Sequence, residues 1–126
     1  MPEDGVRVCA SDALVDGGLG VRFPVATRRG PTTAFVVRHC GTVYGYVNQC
    51  AHAGIALDWQ PGEFFDRSHV YLMCATHGAV YEPDTGRCAG GPCRGQSLKA
   101  VTVAERDGQV WWFPTAELTA ALPASA

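Results

Sequence analysis

The 126-residue chain lacks several features that would assign it to common functional classes. Basic residues are not in excess, since 10 Lys and Arg stand against 12 Asp and Glu, a formal net charge of −2. A protein that holds a phosphate backbone normally has a basic surplus. The chain also has no apolar run near the ~18 residues that a membrane-spanning helix needs. The sequence therefore predicts neither a nucleic acid nor a membrane as a partner.

Cysteine is too infrequent to indicate a disulfide framework. The six cysteines are about 5% of the chain, below the ~8% typical of small disulfide-stabilised proteins. The first residues, Met1 to Gly5, show neither a basic nor an apolar signal segment, so we expect a cytoplasmic protein. In a reducing compartment, cysteines more often bind metals, act in catalysis or stay as thiols than form bridges.

Glycine and proline are abundant, with 15 and 8 residues, and they separate short runs of β-branched and aromatic residues. Runs of this length that are bounded by turn-forming residues predict strands. They lie at residues 20–25, 34–38, 42–47, 70–73, 100–104 and 109–113. The dipeptides Cys40-Gly41 and Asp107-Gly108 predict tight hairpin turns. An all-β protein, an antiparallel barrel or sandwich, follows from this pattern.

The strand pattern is interrupted once, which indicates how a single domain of residues 1–126 is organised. Residues 48–94 are rich in Gly, Cys, His and Pro and are too long for an ordinary connection. We expect them to form an inserted subdomain that carries the functional site. The base β domain would then comprise residues 5–47 and 95–114.

One segment near the end of the chain has a helical pattern. Residues 115–122 are rich in helix-forming Ala, Leu and Glu. Thr115 is a suitable N-terminal cap, and Pro123 would end the helix. We therefore expect a short helix within a C-terminal tail of residues 115–126.

Two Cys/His motifs lie in the interrupting segment, Cys50-Ala51-His52 and Cys74-Ala75-Thr76-His77, and 21 residues separate them. Each offers one thiolate and one imidazole, so two loops together can supply four ligands to one metal centre. Such a set suits tetrahedral zinc or a [2Fe–2S] cluster with mixed ligands. Zinc fingers usually place two cysteines in one half and two histidines in the other. The mixed halves favour the cluster, and a structural zinc site is the alternative.

These motifs resemble the Rieske iron–sulfur family. The family pattern is C-x-H, a spacer, C-x-x-H-G, an aromatic residue in a strand, a T-G turn and a later G-P. The chain supplies all of them in order, with Tyr81, Thr85-Gly86 and Gly91-Pro92 after the two ligand motifs. The resemblance implies the Rieske fold and one [2Fe–2S] cluster per chain. Cys50 and Cys74 would hold one iron, and His52 and His77 the other.

The resemblance also implies which residues surround the cluster. Gly91-Pro92 would belong to the proline loop that covers it. The full set of implied neighbours is Gly54, Gly78, Ala79, Tyr81, Gly91 and Pro92.

The chain departs from the high-potential members of that family. Ile55 and Thr76 occupy the positions of an extra cysteine pair, and Ala79 occupies that of a serine, although Tyr81 keeps a phenolic donor. Hydrogen bonds to sulfur raise the reduction potential, so the pattern is closer to the low-potential ferredoxins. The spacer is also longer than usual, and residues 58–68 are expected to form an enlarged excursion.

Four cysteines lie outside the two ligand motifs. We expect Cys9 and Cys40 to be thiols. Cys88 and Cys93 flank the proposed proline loop, and we expect two reduced thiols there, with a bridge between them as the alternative.

The function implied is electron transfer and not catalysis. A Rieske centre has no open coordination position for a substrate. The chain is too short for the domain that holds an oxygenase's mononuclear iron, and it has no nucleotide-binding glycine fingerprint. We expect a ferredoxin-like one-electron carrier between a reductase and a terminal oxygenase or reductase, with redox proteins as partners. The alternative is a cluster-bearing subunit or redox-sensing module of a larger oxidoreductase.

Overall fold

A computed structural model of the protein describes residues 5–27, 30–49, 57–58, 62–66, 68–74, 78–91, 95–115 and 118–120. Within these ranges the chain forms short strands and one 3-10 turn, Ser11–Ala13. The strands are β1 (Val6–Ala10), β2 (Val21–Thr27), β3 (Gly30–His39), β4 (Thr42–Val47), β5 (Leu72–Met73), β6 (Val80–Tyr81), β7 (Cys88–Gly90), β8 (Ala100–Val101), β9 (Val103–Arg106), β10 (Gln109–Trp112) and β11 (Leu118–Ala120).

The strands form three antiparallel sheets. The largest has the order β11-β2-β3-β4-β8, and the other two have the orders β1-β10-β9 and β5-β6-β7. This arrangement confirms the predicted all-β antiparallel fold. In the described part of the chain, no helix has the length and apolar character needed to cross a membrane.

The central strand β3 is buried on both of its faces. Ala34, Phe35, Val36 and Val37 follow one another, and each is 0% exposed. Successive side chains of a strand point to opposite faces of the sheet. Ala34 and Val36 therefore enter one core, whereas Phe35 and Val37 enter another.

The first core lies between the five-stranded sheet and the β1-β10-β9 sheet. Its rings include Phe23 and Trp112, whose centroids are 5.3 Å apart. The full set of buried residues is Cys9, Leu14, Phe23, Val25, Ala34, Val36, Val43, Val47, Val101, Val110, Trp112 and Leu118. This core joins the two sheets into a sandwich.

The second core lies on the opposite face of the five-stranded sheet. It consists of Phe35, Val37, Tyr46, Leu57, Phe64, Leu72, Cys74, Ala79, Tyr81 and Leu98. Phe35 stacks on Phe64 with ring centroids 3.8 Å apart, and the Tyr46 hydroxyl donates to the Pro83 carbonyl at 2.7 Å. Burial raises the pKa of the Tyr46 phenol, so it stays a donor. These contacts fix the β5-β6-β7 sheet to the sandwich.

Both predicted hairpin turns are confirmed. Cys40 and Gly41 have φ values of 52° and 84°, and Asp107 and Gly108 have 55° and 75°. Two successive positive φ values belong to the type I′ turn, whose twist matches that of the flanking strands.

The predicted helix at residues 115–122 is wrong for the residues that the structure describes there. Leu118–Ala120 forms β11, which pairs with β2, and Leu118 is buried in the first core. Thr115 Oγ1 accepts a hydrogen bond from Leu118 N–H at 3.2 Å, so the hydroxyl expected to cap a helix instead supports the turn into a strand. Pairing with the open edge of β2 outweighs local helix propensity. Pro123 lies outside the described residues.

Candidate metal centre

The second Cys/His motif begins on a loop closed by its own backbone. The Cys74 N–H donates to the Ala79 carbonyl, and the Gly78 N–H donates to the Cys74 carbonyl, both at 2.8 Å. These bonds join the end of β5 to the start of β6. Cys74 is 0% exposed within the second core. The loop therefore holds the thiol of a predicted ligand away from water.

Gly91, the described residue of the predicted G-P motif, lies directly against this loop. A Cβ added to Gly91 would come within 3.0 Å of both Ala79 Cα and the Gly78 carbonyl oxygen. Gly91 also has a φ of +86°, a conformation that a side chain disfavours. Only glycine fits at this position without strain. This contact places the glycine of the G-P motif next to the C-x-x-H-G motif, as the family resemblance implies.

A buried polar pair, Asn48 and Asp58, closes the segment that contains the first motif. Asn48 Nδ2 donates to Asp58 Oδ1 at 2.9 Å, and Asn48 Oδ1 accepts from the Leu57 N–H at 2.8 Å. Asp58 Oδ2 accepts from the Gly62 N–H at 3.0 Å and lies 3.7 Å from Arg22 Nε. The two residues are only 4% and 8% exposed.

This pair, the Asn48–Asp58 clamp, is attached to the central sheet. The Asn48 N–H donates to the Thr33 carbonyl of β3 at 2.7 Å. Leu57, next to Asp58, is 0% exposed in the second core. The clamp therefore fixes both ends of the segment that carries Cys50 and His52.

The clamp was not identified from the sequence. Asn48 and Asp58 are ten positions apart and belong to no ligand motif. The only available signal was a polar residue at each end of the segment, Asn48 after the apolar run of β4 and Asp58 after Leu57.

The structure describes five of the ten residues predicted at or around the cluster, and it brings them into one loop region. They are Cys74, Gly78, Ala79, Tyr81 and Gly91. The other five lie outside the described residues: Cys50, His52, Gly54, His77 and Pro92. This second group includes three of the four predicted ligands. The described residues therefore contain no group of three metal-binding side chains.

The surroundings of Cys74 fit an iron–sulfur cluster. Its neighbours Ala79 and Tyr81 are each 0% exposed, and both belong to the second core. A hydrophobic shell of this kind limits water access and influences the reduction potential of a bound metal. Ala79 also carries no hydroxyl that could donate to sulfur.

The predicted excursion at residues 58–68 is packed against the protein where the structure describes it. Phe64 is 0% exposed and stacks on Phe35 of β3. Phe65 forms an antiparallel bridge with Leu72 of β5. The extra residues therefore contribute to the second core.

The prediction of two reduced thiols at Cys88 and Cys93 is wrong for Cys88, which is disulfide-bonded. Cys93 lies outside the described residues. The Cys88 N–H donates to the Gln96 carbonyl at 2.9 Å, so the chain turns back on itself after β7. The expectation came from the average cysteine content, which does not determine whether an individual cysteine is bridged. Cys9 and Cys40 are thiols, as predicted.

Comparison with known proteins identifies related sequences and folds. Residues 5–117 match a family model described as the Rieske [2Fe-2S] domain. No curated protein matches the chain. The ferredoxin of carbazole 1,9a-dioxygenase from Nocardioides aromaticivorans IC177 is 25% identical with a TM-score of 0.67, over 88% of this chain and 98% of that one.

Two further solved structures share the fold. The Sphingomonas yanoikuyae B1 ferredoxin is 23% identical with a TM-score of 0.66, over 88% of this chain and 99% of that one. A chain of a fluorene-bound oxygenase and ferredoxin complex of carbazole 1,9a-dioxygenase is 20% identical with a TM-score of 0.69. That match covers 86% of this chain but only 28% of the other. The chain thus spans nearly the whole of the two ferredoxins and about a quarter of the longer chain.

The Asn48–Asp58 clamp generates a first prediction. Asn48→Ala removes a donor to the buried Asp58 carboxylate and the acceptor for the Leu57 N–H. We expect the free energy of unfolding, measured with urea, to fall by about 2–3 kcal/mol. Gln49→Ala is the matched control, because this neighbouring side chain is exposed; it should change stability by less than about 0.5 kcal/mol. Equal losses of unfolding free energy in the two variants would contradict the stabilising role of the clamp.

Gly91 generates a second prediction. Gly95 also has a positive φ, +78°, but a Cβ there would meet nothing within 4 Å. Gly95→Ala should therefore cost only the backbone strain, about 1 kcal/mol. Gly91→Ala adds a clash with the Gly78–Ala79 backbone, and we expect at least twice that loss together with faster release of iron to a chelator. If both variants lose stability and iron equally, the contact of Gly91 with the Gly78–Ala79 backbone does not have the proposed importance.

Proposed function

The chain belongs to the Rieske [2Fe-2S] domain family, and on that premise we propose that it is a ferredoxin-type carrier of single electrons between a reductase and a terminal oxygenase or reductase. The observation that carries this proposal is the extent of the match. The family model covers residues 5–117, and the chain covers 98% of a ferredoxin that is 25% identical. The protein is thus an electron carrier and not a catalyst.

We assign the four ligands within this proposal. Cys50 and Cys74 hold one iron, and His52 and His77 hold the other, in one cluster per chain. When bound, such a cluster supplies one-electron chemistry at a centre with zero net charge in its oxidised form, which accepts an electron more easily than an all-cysteine centre. Support comes from Cys74, whose thiol is buried in the closed loop at the end of β5.

The protein contributes rigidity and exclusion of water. The backbone bonds between Cys74, Gly78 and Ala79 hold one ligand loop, and the Asn48–Asp58 clamp holds the ends of the other. Gly91 packs on the first of these loops. A carrier benefits from such rigidity, because surroundings that move little on electron uptake permit fast transfer. The absence of a hydroxyl at Ala79 supports a low-potential carrier.

The partners proposed are redox proteins. One structure that shares the fold is a complex of reduced oxygenase and oxidised ferredoxin in carbazole 1,9a-dioxygenase. We propose an equivalent class of acceptor for this chain. A cytoplasmic location is also part of the proposal, with the free thiols of Cys9 and Cys40 as its support, whereas the Cys88 disulfide is unusual for a reducing compartment.

A second candidate is a cluster-bearing subunit or module of a larger oxidoreductase. The observation that favours it is the match to 28% of a longer chain in the oxygenase and ferredoxin complex. Size-exclusion chromatography of the native protein from its own cells separates the candidates. A free carrier elutes near its own mass of 13.4 kDa, whereas a subunit co-elutes with a larger partner.

The test of the carrier function is a coulometric titration of anaerobically purified protein. The wild type should take up one electron per chain, and so should Cys40→Ser, which alters an exposed thiol in the turn between β3 and β4. Cys74→Ser should take up none and should lose stability, because the free energy of metal binding contributes to folding. Full uptake in Cys74→Ser would overturn the ligand assignment, and no uptake by the wild type would overturn the function.

A further inference from the structure

Exposed apolar side chains are concentrated in two segments of the described structure. The large hydrophobic residues that remain exposed are Val15, Leu19, Val70 and Tyr71, at 66%, 60%, 45% and 39%. A single exposed apolar side chain is ordinary, but a concentration of them marks an interaction surface. The two segments, residues 15–19 and 70–71, are far apart in the sequence.

The fold brings these segments together at a direct contact. His69 Nδ1 lies 2.8 Å from the Gly17 carbonyl oxygen, a hydrogen bond in which the ring N–H donates. A Cβ added to Gly17 would come within 2.9 Å of the His69 carbonyl oxygen. His69 itself has a φ of +61°, which is uncommon for a residue other than glycine. The two apolar segments are therefore held side by side.

Asp66 stabilises the strained turn around His69. Its Oδ1 accepts hydrogen bonds from the Ser68 hydroxyl at 2.7 Å and from the Val70 and Tyr71 N–H groups at 3.3 and 3.4 Å. Burial raises the pKa of the Asp66 carboxyl, but these hydrogen bonds outweigh it and lower the pKa overall. The carboxylate is therefore ionised at neutral pH.

A cleft of about 510 Å³ opens between the two segments. Leu19, Phe65 and Met73 contribute apolar walls, and the acidic groups that line it are Glu63 and Asp66. Among the lining residues that the structure describes there is no Lys or Arg. The cleft therefore combines apolar walls with two acidic side chains.

The cleft lies one residue from a proposed cluster ligand. Met73 lines it, and the Met73 N–H donates to the Phe64 carbonyl at 2.8 Å, which holds the strand in place. The next residue in the chain is Cys74. A protein docked here would therefore lie beside the residue that precedes a proposed ligand.

We propose that this face, formed by Val15, Leu19, Val70 and Tyr71 with Glu63 and Asp66, docks a redox protein that presents an apolar contact bordered by basic residues. The inference rests on the proposed carrier function and adds a surface on the cysteine side of the centre. Charge complementarity selects the occupant, because carboxylates around an apolar contact attract a basic rim. In the transfer, one electron leaves the reduced protein and converts one ferric centre of the partner to ferrous, and no bond is formed or broken.

Cytochrome c is the probe for this proposal, since basic residues border its exposed haem edge. The second-order rate of its reduction by the dithionite-reduced protein is measured by stopped flow at low ionic strength. Glu63→Gln and Leu19→Ser should each lower the rate about 3-fold, and the Glu63→Gln effect should vanish in high salt because screening removes it. The matched control is Asp107→Asn, which removes one carboxylate from the β9–β10 hairpin and keeps a residue that tolerates positive φ.

Carbodiimide crosslinking of the same pair, read by mass spectrometry, locates the contact. Crosslinks from Glu63 to cytochrome c lysines support the proposal, and crosslinks confined to other carboxylates overturn it. Rates that are equal in wild type, Glu63→Gln and Leu19→Ser also overturn it while leaving the carrier function intact. Failure of cluster-loaded wild type to reduce cytochrome c overturns the docking proposal, whereas the carrier function is judged separately by the coulometric titration. Sedimentation velocity tests whether the face binds a second copy of the chain. If the wild type is a dimer and Leu19→Ser is a monomer, the face is a dimer interface and the proposal is overturned.

Discussion

Strand β3 has an apolar core on each of its two faces, and the proposed metal centre depends on the second of them. Phe35 and Val37 project into the same core as Cys74, Ala79 and Tyr81, while Ala34 and Val36 join the sandwich. A substitution that displaces β3 would therefore disturb both cores together. Because interiors are close-packed, the position of Cys74 is determined by the same side chains that stabilise the fold.

The loops that carry the ligand motifs are positioned by polar contacts on that rigid base. One loop is closed by backbone hydrogen bonds between Cys74, Gly78 and Ala79, and the ends of the other meet at the Asn48–Asp58 clamp. Buried polar groups are costly unless they are hydrogen-bonded, so a satisfied buried pair specifies one arrangement of the chain. Loops held in this way on a scaffold of strands are a common means of placing functional residues.

Features that depend on neighbouring residues were predictable from the sequence. The Cys40-Gly41 and Asp107-Gly108 turns were found because positive φ is a local property of such dipeptides. The apolar run of β3 likewise indicated a strand. The Cys/His spacing led to the Rieske resemblance, which the match over residues 5–117 confirms. The individual ligand assignments remain predictions.

Features that depend on distant parts of the chain were not predictable. β11 exists because β2 offers an open edge, so the helical propensity of residues 115–122 was misleading. β6 and β7 are only two and three residues long and carry no periodic signal. Asn48 and Asp58 meet only after the intervening segment has folded back.

The ligand set is the central claim, and pulsed electron paramagnetic resonance of the dithionite-reduced protein tests it most directly. Mixed ligation predicts a signal from one reduced [2Fe–2S] cluster with strong hyperfine coupling to two imidazole nitrogens, one each from His52 and His77. Coupling to one nitrogen should be lost in His52→Cys and in His77→Cys. A cluster signal without nitrogen coupling, or a colourless protein with one zinc per chain and no signal, would contradict the account.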